Sequence, residues 1–182
     1  MRRWSVRCAL ILMTLSVNTG LMVTASADDK VRLLLVDSYH RDYLWCKYTH
    51  AGFAEALLKR GYLDTQEQID ELWKSDQVES SKAIVKVLWM DTKRKNSKPE
   101  MQQATMQLTE EVKAFRPALF FLAEDNAANY IGNQFLDAEL PSVLWRINNT
   151  LAKYGLVVAR NILVITSLGS WSLSTSLKAY SS

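Results

Sequence analysis

Chemically versatile side chains follow each of four short apolar runs in this sequence. Ser38, Tyr39 and His40 come directly after Val31–Val36 and offer a hydroxyl, a phenol and an imidazole. The carboxylates and amides Asp91, Asp125, Asn126 and Asn148 follow three later runs, which are Ala83–Met90, Ala118–Ala123 and Ser142–Trp145. These residue types serve nucleophilic catalysis, metal binding or the recognition of a small molecule.

Catalysis would need Ser38 as nucleophile, His40 as base and Asp91 or Asp125 as the orienting carboxylate. The segment around Ser38 lacks the Gly-x-Ser-x-Gly pattern, and a serine and a histidine two apart at a strand end need not face each other. A metal site would use His40, His50, Asp91 and Asp125, but two histidines ten residues apart lack ligand-type spacing. Since no Gly-rich phosphate loop follows the first apolar run either, we expect a non-enzyme without metal or cofactor.

Recognition of a small molecule makes fewer demands on the spacing. Aromatic faces for stacking are supplied by Tyr39, Tyr43, Trp45 and Trp145. Simpler roles stay open for several of these residues. Tyr43 and Trp45 could cover the first helix, Asp125 could be a helix N-cap, and Asp91 could pair with Lys93 or Arg94 on the surface. Cys46 is a small core residue or a reactive thiol.

The elements that must position these residues alternate along the chain. The apolar runs fit buried strands, and the fourth is introduced by Pro141. Helical spacing between them predicts helices over Tyr48–Arg60, Pro99–Phe115 and Ala127–Phe135. The polar stretch Tyr62–Lys82 predicts a surface helix or an irregular excursion. Such alternation is typical of an α/β, doubly wound parallel sheet with right-handed crossovers. All four strand ends should then meet at one edge, where ligands bind in such folds.

The first 27 residues have the pattern of a cleaved signal peptide. A basic start is followed by the apolar stretch Cys8–Val23 and by the small residues Ala25-Ser26-Ala27, so the mature chain should begin at Asp28. Cleavage removes three arginines from 22 basic residues and leaves the rest balanced by 19 acidic ones, which argues against nucleic acid as a partner. We expect a periplasmic protein whose remaining cysteine, Cys46, has no partner within the chain.

Several motifs together resemble the ABC-transporter substrate-binding proteins, across Lys30–Val157. They are Ser38-Tyr39-His40-x-x-Tyr43-x-Trp45, Trp89–Arg94, Asp125–Asn133, Asn148-Asn149-Thr150 and Lys153–Val157. The resemblance implies the N-terminal, Rossmann-like lobe of a type I periplasmic binding protein, which closes with a second lobe on a small ligand. Some of these proteins bind aromatic amino acids. The implied partners are a small-molecule ligand and an ABC permease in the inner membrane, with the receptor acting as a monomer.

The resemblance also implies which side chains face the ligand. Carried over position by position, they are Ser38, Tyr39, His40, Trp45, Asp91, Asp125, Asn126 and Asn148. One position departs from the family pattern, because Arg146 stands where Phe-Trp-Gly-Ile-Asn would have glycine. Arginine disfavours a positive φ angle and adds a long cation, which puts the local backbone and the role of Asn148 in question.

The sequence predicts a leader over residues 1–27, a ligand-binding lobe over 28–157 and an atypical tail over 158–182. Such receptors need a second lobe, and the tail is rich in serine with only Arg160 and Lys178 charged. We hypothesise that the tail is read out of frame, since a shifted reading of one back-translation of Asn161–Ser172 contains the family's Asn-Ile-Thr-Gly-Val turn. The nucleotide sequence across codons 155–182 tests this.

Two alternatives accompany these expectations. The tail could be genuine, with Ile162–Ile165 forming a fifth strand. In function, the chain could be a periplasmic sensory or adaptor domain that touches a membrane sensor, or a truncated product without function.

Overall fold

Seven strands form one mixed sheet in the part of the chain that the computed structural model describes, residues 30–156, 162–165 and 171–173. The strands are β1 (Val31–Asp37), β2 (Gln77–Glu79), β3 (Ala83–Trp89), β4 (Leu119–Ala123), β5 (Ser142–Trp145), β6 (Ile162–Ile165) and β7 (Trp171–Leu173). Their order across the sheet is β2-β3-β1-β4-β5-β6-β7. The five central strands are parallel, and the edge strands β2 and β7 are antiparallel to their neighbours. This confirms an α/β fold with a mostly parallel sheet.

Helices cover both faces of the sheet. They are α1 (Leu44–Lys59), α2 (Gln66–Ser75), α3 (Lys98–Phe115) and α4 (Glu124–Asn126), and α4 continues through a π-helical stretch, Ala127–Ile131, into a 3-10 turn, Gly132–Phe135. A second 3-10 turn spans Leu151–Tyr154. None of the described helices has the length and apolar character needed to cross a membrane.

Strand β1 shows why both faces are covered. Its side chains alternate, so Leu33 and Leu35 belong to the cluster packed with α1 and α2, whereas Leu34 and Val36 belong to the cluster packed with α3 and the helical stretch after β4. All four are buried. A continuous apolar run is therefore the sequence that such a central strand requires.

The predicted strands are found with small shifts at their ends. The first extends through Asp37, the second ends at Trp89 and the third begins at Leu119, while the fourth is placed as predicted. Ile162–Ile165 forms β6, which pairs in parallel with β5. This is the fifth strand that the alternative of a genuine tail predicts. The predicted leader, and the part of the tail outside β6 and β7, lie outside the described residues.

The helix ends follow local sequence signals. α1 ends in a Schellman motif, in which the Gly61 and Tyr62 N–H groups donate to the Leu58 and Leu57 carbonyls and Gly61 takes a φ of 71°. α3 begins where the Glu100 carboxylate accepts hydrogen bonds from the backbone N–H of Ser97, at 3.0 Å, and from its hydroxyl. The main difference lies at the start of α1, which begins four residues before the predicted Tyr48.

Ser38 joins the ends of three neighbouring segments. Its buried hydroxyl donates to the Ala123 carbonyl at 2.9 Å and accepts from the Ala127 N–H at 2.7 Å, which links β1 to the end of β4 and the helix that follows. Its carbonyl accepts from both the backbone N–H and the hydroxyl of Thr92, beyond β3. This one residue thus holds the carboxyl ends of β3, β1 and β4 in register.

We predict that Ser38→Ala lowers the free energy of unfolding by about 1–3 kcal/mol, because it leaves the buried Ala127 N–H without an acceptor. Urea denaturation followed by circular dichroism measures the change. The matched control is Ser75→Ala, which removes a hydroxyl that bonds two carbonyls at an exposed site. Equal stability of the two variants would show that Ser38 doesn't hold the strand ends.

Candidate functional site

The predicted site residues gather at the carboxyl edge of the sheet. β1 lies between β3 and β4 in the sheet. The chain therefore passes from β1 to β3 on one side of β1 and afterwards crosses to β4 on the other side. This reversal of direction creates a crevice at the carboxyl ends of β1 and β4, where open α/β sheets bind ligands. Asp91, Asp125, Asn126 and Asn148 all follow neighbouring strands at this edge.

Tyr39 and Tyr43 form an aromatic pair on the loop after β1. Their ring centroids are 4.8 Å apart in an edge-to-face arrangement, and Lys93 Nζ lies 4.5 Å from the centroid of the Tyr39 ring and 5.3 Å from that of Tyr43. Burial, followed by the negative charge of Glu124, raises the pKa of Tyr39 to about 12. The Tyr39 phenol therefore stays neutral at physiological pH and can serve as a hydrogen-bond donor.

His40 lies against Asp91 next to this pair. His40 Nδ1 is 3.2 Å from Asp91 Oδ1, with 15% and 20% of the two side chains exposed, so the two groups are close and still reachable from solvent. The Asp91 N–H donates to the Tyr39 carbonyl, which ties the segment after β3 to the loop after β1. Arg94 Nε lies 3.9 Å from Asp91, so the surface pairing expected for Asp91 also exists.

The hydrolase hypothesis loses its geometric basis here. The Ser38 hydroxyl is buried and bonded to two backbone groups, whereas the His40 ring lies against Asp91 and Tyr43. The proposed metal set is likewise not assembled, because His40 pairs with Asp91 while His50 pairs with Asp37.

Trp45 is the exposed aromatic residue of the predicted site. The early start of α1 places it in the first turn of that helix, with 60% of its surface exposed. The Arg146 guanidinium carbon lies 5.2 Å from the centroid of the Trp45 ring. Leu44 and Tyr48 beside it are also exposed, at 65% and 71%. These three residues form a continuous apolar patch on α1, which we call the α1 patch.

Arg146 adopts the conformation that its residue type disfavours. Its φ angle is 61°, and Glu124, which follows the neighbouring strand β4, has a φ of 72°. A left-handed conformation costs a non-glycine residue about 1–2 kcal/mol. Arg146 Nη2 forms an ion pair with Glu124 Oε1, and Nη1 bonds the Thr49 hydroxyl. The positive φ angle is therefore kept at Arg146 although arginine disfavours it, and these contacts offset the strain.

The Glu124 side chain is only 5% exposed in this pair. Burial raises the pKa of Glu124, and the positive charge of Arg146 opposes that shift. Asp91, with a φ of 57°, completes a set of three left-handed residues that follow β3, β4 and β5. Strained backbone of this kind clusters at binding and active sites.

Asp125 and Asn148 hold each other across the ends of β4 and β5. Asp125 Oδ1 accepts from the Asn148 N–H at 2.9 Å, and Oδ2 accepts from the Asn148 amide at 3.0 Å. Burial acts to raise the pKa of Asp125, but these hydrogen bonds hold that pKa below its ordinary value. Asp125 isn't the N-cap, since α4 begins one residue earlier and Ala123 is its N-cap. Asn126 donates to the Thr92 hydroxyl at 3.0 Å.

A buried group behind this surface was not predicted from the sequence. Asp37 Oδ2 lies 2.8 Å from His50 Nε2, and Cys46 Sγ lies 3.5 Å from Asp37 Oδ1. Burial and the negative charge of Asp37 raise the pKa of the Cys46 thiol. The signal that could have found this group is the Cys46-x-x-x-His50 spacing, which places both side chains on one face of a helix behind a strand that ends in aspartate.

An open cavity of about 310 Å³ lies next to the predicted residues, between the end of β3 and α3. Its lining combines apolar and polar side chains, which are Trp89, Met90, Lys95, Glu100, Gln103, Ala104, Gln107 and Leu108. This size falls in the range of small-molecule sites. The cavity is therefore a competing location for a ligand.

Comparison with protein-family models, with curated proteins and with solved structures finds no match for this chain. The ligand-facing roles of the eight predicted residues stay predictions. The geometry adds that Ser38 is fully buried, that Asp125, Asn126 and Asn148 are partly exposed or exposed and bond neighbouring strand ends, and that Trp45 is exposed. The three remaining residues, Tyr39, His40 and Asp91, are partly exposed.

We predict that Arg146→Gly destabilises the protein at neutral pH by about 2–4 kcal/mol. Glycine relieves the strain of the left-handed backbone. Removing the Arg146 guanidinium, however, leaves the Glu124 carboxylate buried and charged without its partner, which costs about 3–5 kcal/mol. Urea denaturation of Arg146→Gly, Glu124→Gln and the double variant separates the two effects. The double variant should regain most of the loss, and a single variant as stable as the parent would contradict the role of the pair.

Proposed function

We propose that this chain is the N-terminal ligand-binding lobe of a periplasmic solute-binding component of an ABC transporter. It binds a small organic ligand at the carboxyl edge of its sheet, and an aromatic amino acid is the leading candidate. The protein acts as a monomer and hands its ligand to a permease in the inner membrane. A cleaved leader of 27 residues takes it to the periplasm.

The strand order supports the Rossmann-like, doubly wound part of this proposal. The five parallel strands are β1, β3, β4, β5 and β6. If they are counted from first to fifth along the chain, their order across the sheet is second, first, third, fourth, fifth. This is the flavodoxin-like order, which binds ligands at the crevice beside the first strand. The motif resemblance over Lys30–Val157 leads to the same edge.

The observation that carries the proposal is the pairing of accessible aromatic rings with directed polar groups at this edge. Trp45 exposes a ring beside Arg146, and the Tyr39 carbonyl accepts a hydrogen bond from the N–H of Asp91, whose carboxylate lies against His40. Aromatic faces stack on a planar ligand, while a carboxylate and an imidazole fix its orientation. Nothing in this arrangement requires bond breaking, so binding accounts for it without a catalytic group.

One lobe supplies one wall of such a site. A closing receptor buries most of its ligand between two lobes, so the described lobe alone should bind weakly. Screening should therefore use millimolar ligand.

A periplasmic sensory or adaptor domain is the second candidate, and the α1 patch favours it. Leu44, Trp45 and Tyr48 expose a continuous apolar surface that a protein partner could cover. Genes for a permease and an ATPase next to this one would favour transport, and a histidine-kinase gene would favour sensing.

We predict that tryptophan, tyrosine or phenylalanine raises the melting temperature of the purified full chain. Trp45→Ala should weaken this binding about five- to tenfold, since one lost stacking face is worth about 1–1.5 kcal/mol. Isothermal titration calorimetry measures the Kd. Met106→Ala, which removes an equally exposed side chain from α3, is the matched control and should keep the parental Kd.

His40→Ala and Asp91→Asn should lower the affinity as well, with Glu110→Gln on α3 as the control for a lost surface charge. Equal Kd values for Trp45→Ala and Met106→Ala would contradict the location of the site. If none of the three amino acids binds at millimolar concentration, the ligand class is wrong.

A further inference from the structure

We infer that Asp37, Cys46 and His50 form a binding site for a zinc-type divalent cation beneath the carboxyl edge of the sheet. The three side chains are buried, and their ligand atoms all lie within 4.8 Å of one another. Among the described residues this is the group in which a thiol, an imidazole and a carboxylate meet. The inference does not depend on the proposed ligand at the edge.

The fold brings the three ligands together from two elements. Cys46 and His50 are four residues apart in α1, a spacing that places both side chains on the same face of the helix. That face packs on the sheet, where Asp37 is the last residue of β1. The Asp37 carboxylate directs Oδ1 towards Cys46 Sγ and Oδ2 towards His50 Nε2. Thiolate sulfur, imidazole nitrogen and carboxylate oxygen are the donors that zinc takes in proteins.

Charge balance favours a divalent ion at this place. When the ion binds, the Cys46 thiol loses its proton to solvent, and His50 coordinates through the lone pair of Nε2 with its own proton on Nδ1. The thiolate and the Asp37 carboxylate then carry two negative charges, which a divalent cation neutralises. A neutral cluster is what a buried site requires, because an uncompensated charge is costly to bury.

Neighbouring groups already orient the ligands. The Tyr39 N–H donates to Asp37 Oδ1 at 2.7 Å. The His50 ring stacks on the Trp73 ring, and the centroids of the Trp73 and Trp89 rings both lie 5.2 Å from that of His50. Such outer contacts fix the orientation of metal ligands and commonly change metal affinity 10–100-fold. Since Tyr39 is bonded to Asp37, a bound ion would also stiffen the loop that carries Tyr39 and His40.

The test uses the purified full chain, reduced and freed of metal with a chelator, and titrated with Co²⁺ and then Zn²⁺. Cobalt should give the charge-transfer absorption of a cobalt–thiolate bond at a stoichiometry of one, and zinc should abolish it. Zinc at 100-fold its Kd should raise the melting temperature by about 5–10 °C.

The sequence offers a matched control for each of two ligands, because it contains two cysteines and two histidines. Cys46→Ser should abolish the charge-transfer absorption, and His50→Gln should weaken binding at least about tenfold. Cys8→Ser and His40→Ala should leave both readouts unchanged. Circular dichroism of each metal-free variant shows whether it folds.

The parent protein alone can overturn the inference. If it gives no cobalt–thiolate absorption and no zinc-dependent rise in melting temperature, Asp37, Cys46 and His50 are only a buried hydrogen-bonded group. Retention of the absorption in Cys46→Ser together with its loss in Cys8→Ser would assign the metal to the other cysteine and also refute it. A folded His50→Gln variant that binds zinc as tightly as the parent would exclude His50 as a ligand.

Discussion

The burial of two polar side chains at the end of β1 is the constraint on which the rest of this structure depends. Asp37 and Ser38 are both fully buried, and an unsatisfied polar group at such a depth costs about 1–3 kcal/mol. Asp37 finds its partners in α1 and in the Tyr39 N–H, and Ser38 finds its partners at the end of β4 and beyond β3. Satisfying these two residues therefore fixes how α1 and three strands meet at one edge.

The accessible chemistry at that edge follows from this arrangement. With the strand ends fixed, the loop after β1 presents Tyr39 and His40 beside Asp91, and α1 presents Trp45 beside Arg146. The left-handed backbone at Arg146 is strained, and the buried ion pair with Glu124 compensates for it. The edge thus has a hydrogen-bonded base and an exposed aromatic surface, an arrangement that suits the proposed recognition of a ligand.

The sequence predicts the parallel strands well because strands buried on both faces need continuous apolar runs, but it does not predict the short antiparallel edge strands β2 and β7. The sequence predicts β5 with its observed bounds and β6 as an alternative. The start of α1 was missed because Leu44 and Trp45 are apolar yet exposed, so they break the amphipathic pattern on which the prediction depends. The sequence could not separate structural from accessible site residues either. Whether a strand-end hydroxyl such as Ser38 faces solvent or a neighbouring backbone is decided by tertiary contacts.

The central claim is that the accessible residues at the end of β1, rather than the neighbouring cavity against α3, bind the ligand. Amide chemical shifts of the isotopically labelled chain, recorded by NMR during titration with tryptophan, test it most directly. The account predicts that the largest shift changes fall on Tyr39–Trp45, Asp91 and Asn148. Changes centred on Lys95, Gln103 and Gln107, which line the cavity of about 310 Å³, would contradict it.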